Sequence, residues 1–167
     1  TADAGEPKLR FKEAVVDFET IAAGLVATRY CTLKNVGRFD AVYRLDENFK
    51  AKHPQFSCDP DFGSIRPGAS QRLTVTFESP YPGAHKVNMQ MNLRGGKPVK
   101  IPVLTSVIVP VVHCKQQALN FGDTFRMEIT KRPVTLVNTS DIDAELTCDL
   151  RQYPDFDLEI SPEAWSP

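Results

Sequence analysis

The chain has 167 residues, with 20 Lys+Arg against 21 Asp+Glu, 13 Pro, 9 Gly and 4 Cys, which excludes a low-complexity or highly charged disordered tail. Its length allows one large domain or one and a fraction, with a sizeable core. The net charge of −1 conceals a basic front, 15 Lys+Arg against 11 Asp+Glu in residues 1–107, and an acidic back, 5 against 10 in residues 108–167, so a nucleic-acid partner is not expected.

The longest apolar stretch, Val103–Val112, is broken by Thr105, Ser106 and Pro110 and falls short of the ~20 residues of a membrane span. No membrane segment is expected. The start, TADAGEPKLR, carries no signal region, and a chain that begins without Met is compatible with a fragment, so secretion is unsupported without being excluded. Cys31, Cys58, Cys114 and Cys148 are scattered and form no CxxC pair, which argues against a zinc site. Reduced cytosolic thiols are the main reading, and a disulfide in an oxidising compartment is the alternative.

In chain order, strands are expected over Leu9–Phe18, Leu25–Asn35 and Ala41–Leu45, then over Leu73–Phe77, Val87–Leu93 and Val99–Val103. The alternation is clearest in His85–Arg94, where Val87, Met89, Met91 and Leu93 share one face and polar residues the other. Pro102 cannot donate to a ladder, so Val99–Val103 is expected at a sheet edge. Turn chemistry separates the runs at Asn35-Val36-Gly37, Arg66-Pro67-Gly68 and Tyr81-Pro82-Gly83. No helical stripe is evident, and about seven short strands argue for an antiparallel sandwich.

An internal repeat follows. Leu33-Lys34-Asn35-Val36-Gly37 with Ala41-Val42-Tyr43 reappears as Leu136-Val137-Asn138-Thr139-Ser140 with Ala144-Glu145-Leu146, at an offset of 103. Leu9-Arg10-Phe11 resembles Leu119-Asn120-Phe121, and Phe56 with Pro60 resembles Phe156 with Pro162. The chain therefore divides into a complete sandwich at 1–107 and the first part of a second at 108–167. The second lacks counterparts of Leu73–Phe77, Val87–Leu93 and Val99–Val103, so the chain reads as a piece of a longer protein or as one completed by another segment. The apolar junction Val103–Val112 predicts a rigid joint.

The run Leu9-x-Phe11, Leu33-x-Asn35-x-Gly37, Phe56-x-x-x-Pro60-x-x-Gly63-x-Ile65-x-Pro67-Gly68 and Leu73-Thr74-Val75-Thr76-Phe77 resembles an ASH domain, the Hydin-type branch of the major sperm protein-like immunoglobulin sandwiches. Leu119-Asn120-Phe121-Gly122 and Leu136–Ser140 extend the resemblance to the second copy. Tyr43–His53 is longer than the family's minimal pattern and is expected to form an elaborated loop. Antibody-type Cys…Trp…Cys spacing is absent, since the sole Trp is Trp165. The resemblance implies tandem immunoglobulin-like sandwiches of a ciliary or centrosomal scaffold, such as those of the axonemal central apparatus.

No motif points to an enzyme. His53, His85 and His113 are the histidines, none has a recognisable nucleophile motif beside it, and His85, in phase with Val87 and Met89, is expected to be a partly buried strand residue. His113 and Cys114 would point to opposite faces of a strand, against chelation. Gly95-Gly96-Lys97 lacks phosphate-loop spacing and reads as a hairpin turn. Met89 and Met91 read as core, and the sequon Asn138-Thr139-Ser140 has no consequence in the cytosol. Catalytic residues, metal, cofactor and small-molecule substrate are therefore not expected.

What remains is surface. If the third, sixth and seventh strands share a sheet, Arg44, Lys86, Asn88, Gln90, Asn92, Arg94 and Lys100 form one face, either simply solvated or a docking face for an acidic partner. Such a partner would be a tubulin tail, an acidic peptide or a neighbouring acidic repeat. A second candidate is the loop Phe49-Lys50-Ala51-Lys52-His53-Pro54, in which Phe49 is either an interface anchor or tucked into the core. A third route is the addition of strands to the open second sandwich. The function expected is that of a non-enzymatic scaffold in the cytoskeleton of the cilium or flagellum, contacting other axonemal or cytoskeletal proteins. The alternative is a major sperm protein-like module that captures acidic motifs at an organelle surface; a periplasmic assembly chaperone is more distant.

Overall fold

The computed structural model describes residues 5–160; Pro162 and Trp165 lie outside the described residues. The elements are β1 (Leu9–Phe11), β2 (Val16–Ala22), β3 (Val26–Asn35), β4 (Ala41–Leu45), α1 (Glu47–Lys52), β5 (Phe56–Asp59), β6 (Phe62–Ile65), β7 (Ser70–Glu78), β8 (Gly83–Leu93), β9 (Val99–Ile108), β10 (Val112–Cys114) and β11 (Leu136–Asn138). A four-stranded sheet in the order β1-β3-β7-β5 faces a five-stranded sheet in the order β2-β9-β8-β4-β6. One apolar core lies between them. Alternation in each strand builds it: Leu73, Val75 and Phe77 of β7 point inward and are fully buried, as are Met89 and Met91 of β8. Among the described residues no helix is long and apolar enough to cross a membrane.

Several expectations change. The expected strand Leu9–Phe18 is two strands in different sheets. Its buried positions, Leu9 and Phe11 and then Val16 and Phe18, change parity between residues 11 and 16, which a single strand with one buried face cannot do. Nor is the sandwich purely antiparallel, because β2 runs parallel to β9 from Val16 opposite Val103 to Ala22 opposite Ile108. That pairing places β9 inside the sheet, not at its edge. Pro102 is accommodated because β2 begins to pair only at Val103, leaving the residue before it free of a ladder on that side. The expected loop 43–53 contains a helix, α1, capped by Asp46, whose Oδ2 accepts from the Phe49 backbone N–H at 3.1 Å. The Gly95-Gly96-Lys97 stretch joins β8 to β9 as expected, with Gly95 at φ 74 in the left-handed region.

Asn35 ties the edge of the first sandwich together. Fully buried, it donates from Nδ2 to the carbonyls of Phe39 at 2.8 Å and Ile65 at 2.7 Å, while its Oδ1 accepts from the Gly37 N–H at 2.9 Å. The same device recurs 103 residues on: Asn138 Nδ2 donates to Ile142 O at 2.7 Å, and its Oδ1 accepts from the Ser140 N–H at 3.0 Å. Arg29 Nε donates to Asp17 O at 3.1 Å, and Arg132 Nε to Asn120 O at 3.1 Å. Thr32 N–H donates to Glu13 Oε2 at 2.7 Å, and Thr135 N–H to Gln116 Oε1 at 2.8 Å. Left-handed backbone at Glu19 and Gly24 recurs at Gly122 and Met127.

This register corrects the repeat's flank. Leu9-Arg10-Phe11 corresponds to Val112-His113-Cys114, since β10 pairs with β11 as β1 pairs with β3. Leu119-Asn120-Phe121 corresponds to Val16-Asp17-Phe18 instead. Phe156 does correspond to Phe56: the Phe56 N–H donates to His53 O, and the Phe156 N–H to Tyr153 O, both at 3.0 Å. Among the described residues β10–β11 is the second copy's one ladder. Of the first copy's pairings, only β1–β3 involves none of β6 to β9, so it alone can form without their counterparts.

All four cysteines are free; Cys31 and Cys58 lie in the core, whereas Cys114 and Cys148 are exposed. Burial, with a smaller push from the Glu13 charge, raises Cys31 from 9.0 to about 12. Burial, followed by the influence of Cys31, Asp61 and Asp59, raises Cys58 to about 12 as well. The folded state thus holds these protons to higher pH than the unfolded chain does. Their contribution to stability is full below pH 9 and is lost as the pH climbs from 9 towards 12. A urea-midpoint titration should show this decline, and the Cys31→Ala/Cys58→Ala variant should show a shallower one; identical slopes would remove the thiols as its cause.

Candidate protein-interaction face

The outer surface of the five-stranded sheet brings the expected residues together. Arg44 of β4 lies opposite Asn92 of β8, and Gln90 of β8 opposite Lys100 of β9. Lys86, Asn88 and Arg94 follow at outward, exposed positions of or just beyond β8. The Arg44 guanidinium sits 5.9 Å from the centre of the exposed Phe62 ring on β6.

The second expected element joins this face. Where α1 overhangs β8 and β9, a shallow groove of about 160 Å³ is lined by Lys52 and His53 on one side and Asn88, Gln90 and Lys100 on the other, with Asp46 at its end. Asp46 is already committed: beyond capping α1, its Oδ1 accepts from Asn92 Nδ2 at 2.9 Å, and Asn92 Oδ1 accepts from Gln90 Nε2 at 2.7 Å. That chain of hydrogen bonds holds the Gln90 side chain on the groove floor.

Two expected site residues are not free. Phe49 is 6% exposed, its ring 6.2 Å from Phe56 and 5.1 Å from His53. Helical spacing turns it into the core, so it anchors α1 and is not an interface side chain. Lys50 is held by Asp61 at 2.5 Å, with Glu47 at 3.7 Å. The hydrogen bond from Lys50 holds the Asp61 carboxyl below its usual value and raises the lysine above its own. Arg44, Lys52, Lys86, Arg94 and Lys100 form no ion pair among the described residues. The cations left available are thus those five, with His53 half-buried beside them.

A larger hollow of about 420 Å³ lies at the β2–β9 bulge, lined by Asp17, Glu19, His85 and Ser106 among others. His85 is half-buried with its ring 5.6 Å from that of Phe77, and the Asp17 carboxylate accepts from the Glu19 N–H at 2.8 Å. No direct hydrogen bond links His85 to Ser106, Asp17 or Glu19 among the described residues. Alternation placed His85 correctly, but the hollow depends on the bulge, which no residue pattern in β2 announced.

Two facing sheets around one apolar core make this an immunoglobulin-like sandwich. Residues 7–104 match the family of HYDIN/CFA65/VesB-like, Ig-like domains, and the chain belongs to that family. The family and the fold are those of immunoglobulin-like, ASH-type domains. Over 118 residues, 70% of its length, the chain is 29% identical to mouse (Mus musculus) Hydrocephalus-inducing protein, of which it spans only 2%. It is also similar to the ASH/PapD-like domain of human CEP192 (PapD-like domain 7), at a TM-score of 0.53 and 18% identity, covering 62% of this chain and 87% of that one.

Proposed function

We propose that the chain is a non-enzymatic scaffold segment of a large ciliary protein that makes protein–protein contacts in the axoneme, at the central apparatus. The carrying observation is the family membership of residues 7–104, together with identity to Hydrocephalus-inducing protein that continues beyond a single domain's length. The Hydin-type resemblance implies the ciliary setting. An antibody to this segment, imaged in ciliated cells beside axonemal, centrosomal and reticulum markers, should label the axonemal centre. Label on the endoplasmic reticulum would overturn the reading in favour of an organelle-surface module.

The contact surface in this reading is the cationic sheet face with the α1 groove, and its partner is an acidic segment such as a tubulin tail. Lys52 and Lys100 flank the groove. Reversing both charges, Lys52→Glu with Lys100→Glu, is expected to weaken binding of an acidic tail peptide by about tenfold or more while leaving the melting temperature nearly unchanged. Fluorescence anisotropy across a salt series would check it. Unaltered affinity would remove this face from consideration.

A further inference from the structure

We propose that the outer surface of the four-stranded sheet docks a short acidic peptide tract. This surface lies on the opposite side of the sandwich from the α1 groove. The inference therefore uses none of the groove's residues and stands or falls apart from it.

Register brings the cations of this face together. Arg10 of β1 stands directly opposite Lys34 of β3, and Lys34 opposite Ser70 of β7. In the next outward row the Lys12 N–H donates to Thr32 O at 2.9 Å, and Thr32 stands opposite Arg72 of β7. Arg10, Lys12, Lys34 and Arg72 are all exposed, and none forms an ion pair among the described residues. Strand spacing and residue rise confine them to a patch of about 10 by 7 Å. Like charges directly opposite one another destabilise a sheet, and Arg10 with Lys34 is such a pair. Further along the same face the outward positions of β3 and β7 hold Thr28, Thr74 and Thr76, which serve the fold without that repulsion. An anion lying across the two rows would offset it.

Tyr30 borders the patch. It is 52% exposed, and the Arg72 guanidinium sits 3.8 Å from the centre of its ring. The stack orders a flexible arginine over the sheet in advance, which lowers the entropy lost on binding. Tyrosine and arginine are also the residue types that most often anchor protein interfaces.

Carboxylates limit the size of the occupant. On the same face Asp59 stands opposite Thr74 and Glu78 opposite Val26, while Glu13 accepts from the Thr32 N–H at the β1 edge. An anionic membrane or a nucleic-acid duplex, negative over a wide area, would meet these carboxylates as well as the cations. A tract of about three extended acidic residues, spanning about 10 Å, would meet the cations alone.

Backbone-amide NMR spectra of the chain titrated with hexaglutamate at low salt should shift at Lys34, Thr32 and Arg72, and the shifts should fade as salt screens the charges. Lys34→Glu with Arg72→Glu should weaken the binding reported by this sheet's amides by about tenfold or more. Lys52→Glu with Lys100→Glu, on the opposite face, should leave it unchanged. Lys34→Glu alone should melt no lower than the parent chain, because it turns a repulsive cross-strand pair into an attractive one; weaker binding then cannot be ascribed to a weaker fold. Shifts confined to other parts of the chain would overturn the proposal, as would unaltered affinity in the charge-reversed variant. A lower melting temperature for Lys34→Glu would do the same, since the like-charge pair would then carry no cost. Tighter binding of phosphatidylserine vesicles than of hexaglutamate through these residues would replace the acidic tract with a lipid surface.

Discussion

Phe77→Ala is expected to lower the stability of the first sandwich by about 4 kcal/mol, a large part of the roughly 5–15 kcal/mol that holds a domain folded. Phe77 is fully buried at the centre of an aromatic cluster, its ring 4.6 Å from Phe56, 5.8 Å from Phe18 and 5.6 Å from His85. Those neighbours come from β5, β2 and β8, hence from both sheets, so no single strand can move in to fill the space. Phe77→Leu retains much of the volume and should cost less than half as much. Urea denaturation at neutral pH measures both, and a loss under about 1.5 kcal/mol for the alanine variant would mean that the sheets close over the cavity.

Asn35→Ala should cost about 3 kcal/mol through a different mechanism. The side chain makes three hydrogen bonds, two to carbonyls of separate segments and one from the Gly37 N–H. Its removal strands buried backbone groups without leaving a large void. The expected fall in Tm is roughly 15 °C for a domain of this size. Asn35→Asp should not rescue it, because a carboxylate can still accept from Gly37 but cannot donate to Phe39 and Ile65. The equivalent Asn138→Ala should change stability by no more than about 0.5 kcal/mol, since the second copy's hydrogen bonds are open to water. Equal losses at the two asparagines would show that burial does not set the cost.

Much of this was legible in the residues. Alternation in His85–Arg94 fixes which side chains of β8 face the core and which the groove, because a strand's two faces are set by parity alone. The turn residues give the hairpins, and the Asn35/Asn138 correspondence gives the repeat. Pairing partners were less legible. That β2 joins β9 in parallel depends on the chain crossing between sheets after Phe11, and the parity change from Leu9 and Phe11 to Val16 and Phe18 was its one trace. Residue similarity aligns Leu119-Asn120-Phe121 with the wrong strand, since Leu-x-Phe is common to inward-facing strand positions; the β10–β11 register and the hydrogen bonds of Arg29 and Arg132 distinguish them. At the site, α1 escaped because six residues are too short to show a helical stripe, although Asp46 and Glu47 are an N-terminal signal. Without that helix the residues alone leave Phe49 two readings and do not show that Lys50 is paired with Asp61.

The parallel pairing of β2 with β9 also decides how the first sandwich would carry a load. A tether pulling on the N-terminal side first peels away β1, which has three residues in register with β3. It then draws on the start of β2 while the C-terminal side draws on the end of β9. Because the two strands run the same way, these forces act at opposite ends of the ladder, and its five registered pairs bear them together in shear. An antiparallel terminal pair pulled in the same manner would open one pair at a time, like a zipper. Under tension this arrangement makes the first sandwich a stiff link, with the first yield confined to β1.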